Sequence, residues 1–188
     1  RRKQESVLKT VNGIRPEFIE ATGKIIEEAE KVFQKINHEM LLPLADHIAL
    51  AAKRAKENRQ IPNPFTPDIR VLFGEEYQVA LKGREVIQRL TGYEISEDEV
   101  GFITLHIHAG LSDEAVSQTL DTTRIVNEGI AMIEREFDQK LESGSLGCTR
   151  LMSHMYYMIL RTRKGEGTNA DFNDFIFQNY PRTGEAAK

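Results

Sequence analysis

The stretch Ser96–Gly110, SEDEVGFITLHIHAG, decides how this chain reads. Ser96 and Glu99 stand at the S-x-x-E spacing of a capping box, in which each side chain satisfies a backbone N–H at a helix start. Glu97 and Asp98 add negative charge in the first turn, where the helix dipole favours it. Three acids in that turn read as capping and dipole residues rather than catalytic carboxylates. Val100, Phe102, Ile103 and Leu105 then make a strongly apolar helix with His106 in its middle. Phe102 and Ile103 lie four and three positions before His106, so the imidazole shares a face with them.

The segments before this helix are helical too. Pro16 suits a first helical turn, and Ile19, Thr22, Ile25, Ile26, Ala29, Phe33 and Ile36 recur at steps of three and four. That pattern predicts an amphipathic helix of about six turns, broken at Asn37-His38. Residues 1–15 read as a linker. Leu41, Leu44, Ile48, Ala51 and Ala52 form a second stripe that carries Asp46-His47. The three prolines of IPNPFTP (61–67) demand a loop. A short segment, Asp68–Phe73, leads to a helix with Tyr77, Ala80, Leu81, Ile87 and Leu90 inward, closed by Thr91-Gly92. No stretch alternates with period two, so no sheet is expected and the fold class is all-α.

Leu111–Thr123 is polar and small, a linker or the lead-in to a second unit. Ile125, Ile130, Ile133 and Phe137 mark a long helix, and Ser143-Gly144-Ser145 a break. Leu146, Leu151, Met155 and Met158 make the next stripe, with His154 inside it. A loop over Lys164–Asn169 and an aromatic helix at Phe172, Phe175, Ile176 and Phe177 follow. This order repeats the first half. His154 stands 107 residues after His47, and Phe177 stands 104 after Phe73. On that offset the counterpart of His106 falls past Lys188, so the second unit reads as incomplete.

Bulk composition narrows the function. With 25 basic and 29 acidic side chains, the net charge of −4 argues against a general nucleic-acid surface. The single cysteine, Cys148, excludes an internal disulfide and fits a reducing compartment. No apolar run reaches the ~20 residues of a membrane span, and Arg1-Arg2-Lys3 does not lead into a signal-peptide core. The chain reads as cytoplasmic, and its abrupt start as a fragment. His106 and His108 form an H-x-H pair, but residues two apart on a helix point away from each other, so one ion cannot take both. No metal or cofactor is expected. No Gly-rich phosphate loop, nucleophile elbow or paired-carboxylate site is visible, so an enzyme is the weaker class.

Four pieces carry a resemblance: LADHIALA (44–51), NPFTPDIRVLFGEEYQVA (63–80), EDEVGFITLHI (97–107) and TRLMSHMYYMILR (149–161). Together they resemble the PTS regulation domain, or PRD, of bacterial sugar-uptake regulators, of which BglG/LicT-type antiterminators carry two copies. The resemblance implies tandem dimerising bundles of about five helices, here a first PRD over 16–116 and a truncated second over 117–188. It implies histidines phosphorylated by HPr or a sugar-specific enzyme II. By position these are His47 and His106 in the first PRD and His154 in the second, with Asp46 beside His47 interacting with the histidine sites. RNA is reached only through an N-terminal domain absent from this sequence. The same PRDs occur in DNA-binding activators, which remain an alternative parent, and a passive dimerisation module is a further alternative. By spacing alone, His47 and His106 are core-edge histidines satisfied by a neighbour. The full motif context makes them phospho-acceptors instead. His108 and His38 read as partly exposed bystanders.

Overall fold

The computed structural model describes residues 13–112 and 114–166. They divide into two compact units between Leu120 and Asp121, and no strand occurs among the described residues. The first unit contains α1 (Pro16–Glu30), α2 (Leu41–Lys56), α3 (Thr66–Leu72), α4 (Gly74–Thr91) and α5 (Glu97–Leu111), with a single 3-10 turn at His38–Met40 before α2. α1 packs on α2 and α4, while α5 packs on α4, α3 and α2.

Pro16 stands in the first turn of α1, whose face Phe18, Ala21, Thr22, Ile25, Ile26 and Ala29 is buried. The helix runs four turns instead of the six the stripe predicts. Phe33 and Ile36 still pack on the core, but from a chain that has left the helix, because the Asn37 N–H donates to the Gly110 carbonyl at the end of α5 (2.7 Å). That cross-link turns the chain back early. Asn37 then caps the 3-10 turn, its Oδ1 accepting from the Glu39 N–H at 2.9 Å.

Of the predicted inner face of α2, Leu44, Ile48, Ala51 and Ala52 are buried, joined by Ala45, while Leu41 is half-buried. Lys53, Arg54 and Lys56 fill its last turn, where the helix dipole favours cations. The proline loop ends at Phe65, and Thr66-Pro67 already begin α3. α4 buries Tyr77, Val79, Ala80, Gly83, Val86 and Ile87 and stops at Gly92, whose φ of 76° is the left-handed C-cap conformation that glycine adopts without strain. Gly101 admits the α3 turn onto α5, since a Cβ there would stand 2.8 Å from Thr66 Oγ1 and 3.1 Å from Asn63 Nδ2.

α6 (Val116–Phe137) runs through the unit boundary, and α7 (Leu146–Arg163) follows it in the second unit after a turn in which Gly144 has a φ of 82°. Ser145 caps α7, accepting from the Cys148 N–H at 3.2 Å. Helix therefore starts inside the segment read as a linker. Its threonines conceal the pattern, for Thr119, Thr122 and Thr123 are all buried. On α7 the inner face is Cys148, Met152 and Tyr156. The expected stripe is displaced from this: Leu146 and Met158 are 68% and 52% exposed. Arg163 ties the hairpin by donating to Thr122 Oγ1 (2.8 Å) and Asp121 Oδ2 (2.7 Å). The aromatic helix expected around Phe172–Phe177, and most of the preceding loop, lie outside the described residues.

Ile48 is fully buried between α2 and its neighbours, so Ile48→Ala removes packed volume from the core. The expected loss is about 2–5 kcal/mol of unfolding free energy, measured as a lower urea midpoint with an unchanged m-value.

Candidate functional site

The site is built where the outer face of α2 crosses α5. His47 and Arg54 are seven residues apart on α2, and Glu99 and His106 are seven apart on α5. A seven-residue step is two helical turns, about 10.5 Å along one face. His47 reaches α5 between its two residues. Its Nε2 lies 3.0 Å from Glu99 Oε2, its ring centroid 5.0 Å from that of His106, and 5.7 Å from that of Phe102 between them. Arg54 takes the other Glu99 oxygen, its Nε and Nη2 donating to Oε1 at 3.1 and 2.6 Å.

Glu99 thus departs from the reciprocal capping box. Ser96 Oγ accepts from the Glu99 N–H at 3.3 Å, but the Glu99 side chain goes to α2 instead of returning to the backbone. Its two neighbours in the turn do likewise. Glu97 accepts from the Tyr77 hydroxyl on α4 (3.0 Å), and Asp98 from the Thr66 hydroxyl on α3 (3.1 Å). Each acid of the first turn of α5 holds a different helix, beyond the capping and dipole role their positions suggest.

Burial acts in opposite ways on the two titratable residues that α5 contributes to the cluster, Glu99 and His106. At Glu99 it pushes the carboxyl upward, yet the hydrogen bonds and charges of His47 and Arg54 outweigh it and hold the group below the usual range. Glu99 is 3% exposed, so its ionised form depends on those partners. His106 has no carboxylate. Loss of solvent, aided by the charge on His47, lowers it from 6.5 to about 4, and at neutral pH its ring is uncharged with a free nitrogen lone pair.

Asp46 is exposed, and the carboxylate on His47 is that of Glu99 instead. His154 is exposed on α7 in the second unit. His108 is more than a bystander: its Nδ1 lies 3.0 Å from Glu76 Oε1 and its ring 4.2 Å from that of Phe73. The two rings of the H-x-H pair serve different faces of α5. His38 is exposed, with Nε2 2.7 Å from Glu30 Oε1. Glu99 and Arg54 were missed in the sequence, although the matching seven-residue spacings were a signal that could have exposed them.

Residues 23–110 match the model of the family described as "PRD domain". The segment from Gly23 in α1 to Gly110 in α5 is therefore a PRD domain. It is 32% identical over 159 residues to a Staphylococcus carnosus protein named "GlcA/glcB genes antiterminator", covering 84% of this chain and 55% of that one. It is 31% identical over 166 residues to "Protein GlcT" of Staphylococcus saprophyticus, covering 87% and 58%. The chain thus spans little more than half the length of these relatives. A solved structure titled "Crystal structure of GlcT CAT-PRDI" superposes with a TM-score of 0.55 at 29% identity, over 59% of this chain and 67% of that one. No helix among the described residues is long and apolar enough to cross a membrane.

The His106 shift has a definite sign in stability. Its folded pKa is depressed, so as pH falls the unfolded chain takes the proton first. Stability from this group is full above about 6.5 and drains away between 6.5 and about 4. Glu99, also depressed, loses its contribution only below its ordinary value of 4.5. Between pH 7 and pH 5 the wild type should lose about 2 kcal/mol through His106, and His106→Gln should lack that component. Urea unfolding of both proteins at the two pH values checks this, and parallel losses would refute it.

Proposed function

We propose that this chain is the phosphorylation-controlled regulatory region of a bacterial transcriptional antiterminator, acting in the cytoplasm and without enzymatic turnover of its own. The pairing of His47 with His106, ring to ring at 5.0 Å across α2 and α5, carries the reading. Both are phospho-acceptors for the sugar phosphotransferase system, through HPr or a sugar-specific enzyme II. Residues 16–116 form the first PRD, and 117–188 an incomplete second one in which His154 is the acceptor. Asp46, exposed next to His47, is the supporting residue of the histidine sites. RNA contact belongs to an N-terminal domain of the kind that precedes such regions, consistent with relatives named as antiterminators.

The local chemistry supports this. Phosphoryl transfer to imidazole needs an unprotonated ring nitrogen, which His106 offers at neutral pH. A phosphoryl group brings about two negative charges and several strong acceptor oxygens. At His47 it adds to a ring whose Nε2 already holds the ionised, water-shielded Glu99, so the charge balance of the cluster changes with each modification. In a homodimer each modification counts twice. Driving a two-state dimer from 1:99 to 99:1 takes roughly 5.5 kcal/mol, and repulsion between such groups at short range in a partly dry contact is of that order. Phosphorylation thereby selects one dimer packing, which the N-terminal domain reads.

Incubation with phosphoenolpyruvate, enzyme I and HPr, with and without enzyme II, followed by mass spectrometry under non-acidic conditions, tests the reading. Acid-labile phosphate should appear and be lost position by position in His47→Ala, His106→Ala and His154→Ala. Absence of transfer from every donor would reduce the chain to a passive dimerisation module.

A further inference from the structure

The environment of His47 selects between its two ring nitrogens. Glu99 Oε2 sits 3.0 Å from Nε2, and an ionised carboxylate only accepts hydrogen bonds. Nε2 must therefore carry the hydrogen, which leaves the lone pair of the neutral ring on Nδ1. Arg54 holds the other carboxylate oxygen through two N–H groups, and so keeps Glu99 both ionised and aimed. Space agrees with tautomer. A phosphorus bonded to Nε2 would need the volume that Oε2 occupies, and its oxygens would meet a carboxylate of like charge. The His106 ring lacks this device: no side chain among the described residues hydrogen-bonds it.

We infer that His47 accepts phosphate at Nδ1, and that Glu99, braced by Arg54, is the positioning residue that fixes this atom. The inference rests on the proposed role of His47 as a phospho-acceptor and names the atom and its regulator. In the step, the Nδ1 lone pair attacks the phosphorus of a phosphohistidine donor. The new N–P bond forms as the donor N–P bond breaks, and the donor nitrogen leaves with the electron pair. The positive charge that develops on the His47 ring is carried towards Nε2–H, where the Glu99 carboxylate stabilises it, as a buried carboxylate does for a histidine base. Neither oxidant nor reductant is required. Glu99 remains in place throughout, so the connection between α2 and α5 survives modification and the new charge is directed away from it.

The test begins without phosphate. Long-range 1H–15N spectra of the 188-residue chain labelled with 15N-histidine, with His47→Ala for assignment, report the tautomer at pH 8. Nε2–H is expected at His47, and an Nδ1–H tautomer overturns the inference. Phosphate is then transferred from phospho-HPr, and the isomer at His47 is read by 31P NMR and by alkaline hydrolysis to the free phosphohistidine. The Nδ1 isomer is expected, and an Nε2 product overturns it. Glu99→Gln should slow transfer to His47 about tenfold or more while leaving the rate at His106 unchanged, with Arg54→Gln falling between. Equal slowing at both histidines would assign Glu99 a merely structural role and overturn the positioning claim. If the tautomer is Nε2–H and yet no phosphate reaches His47, the acceptor reading of that residue fails instead.

Discussion

A single buried negative charge organises the first unit. Glu99 lies at the start of α5, almost wholly withdrawn from water, and would be costly there without partners. Two residues of α2 supply them, His47 to one oxygen and Arg54 to the other. Because both partners come from one helix, the pairing fixes the rotation of α2 against α5 as well as their separation. Apolar packing is non-directional and tolerates small slides of one helix on another, whereas a hydrogen-bonded carboxylate accepts one position. In this sense the charge cluster contributes register more than stability, and hydrophobic burial supplies the drive.

The same turn of helix connects the cluster to the rest of the bundle. Glu97 binds Tyr77 on α4 and Asp98 binds Thr66 on α3, so three consecutive acids reach three other helices. Asn37 meets the opposite end of α5 through the Gly110 carbonyl. α5 is thereby held at both ends, and His106 between them occupies a strip whose geometry every other helix helps to set. A charge added to this strip acts on the most connected element of the unit. That is the physical basis on which a small chemical change can be felt across the domain.

The two histidines are unlike each other despite their proximity. His47 is tied to a carboxylate, while His106 has no side-chain hydrogen-bond partner among the described residues and is driven towards its neutral form by loss of solvent. With the rings 5.0 Å apart, positive charge on His47 disfavours a proton on His106. A pair of this kind responds to modification as a unit. The histidine in the second unit, His154, stands exposed on α7.

The helical character of the chain was legible from periodicity, since Leu44, Ile48, Ala51 and Ala52 recur with the helical step and are buried together. Stops were legible wherever backbone chemistry alone decides, as at Gly92 and Gly144, or at the proline loop before Thr66. His47 and His106 were identifiable from their motif context. Other features depended on distant parts of the chain. α1 ends early because Asn37 finds Gly110, some seventy residues away, and no local preference encodes that meeting. The inner face of α7 departs from its most apolar stripe, because packing takes up Cys148, Met152 and Tyr156 and leaves Leu146 and Met158 exposed. Glu99 looked like a cap because its spacing from Ser96 is local information. Its actual partners lie on another helix, and the cost of burying an unpaired charge, a purely tertiary quantity, turned the side chain towards them.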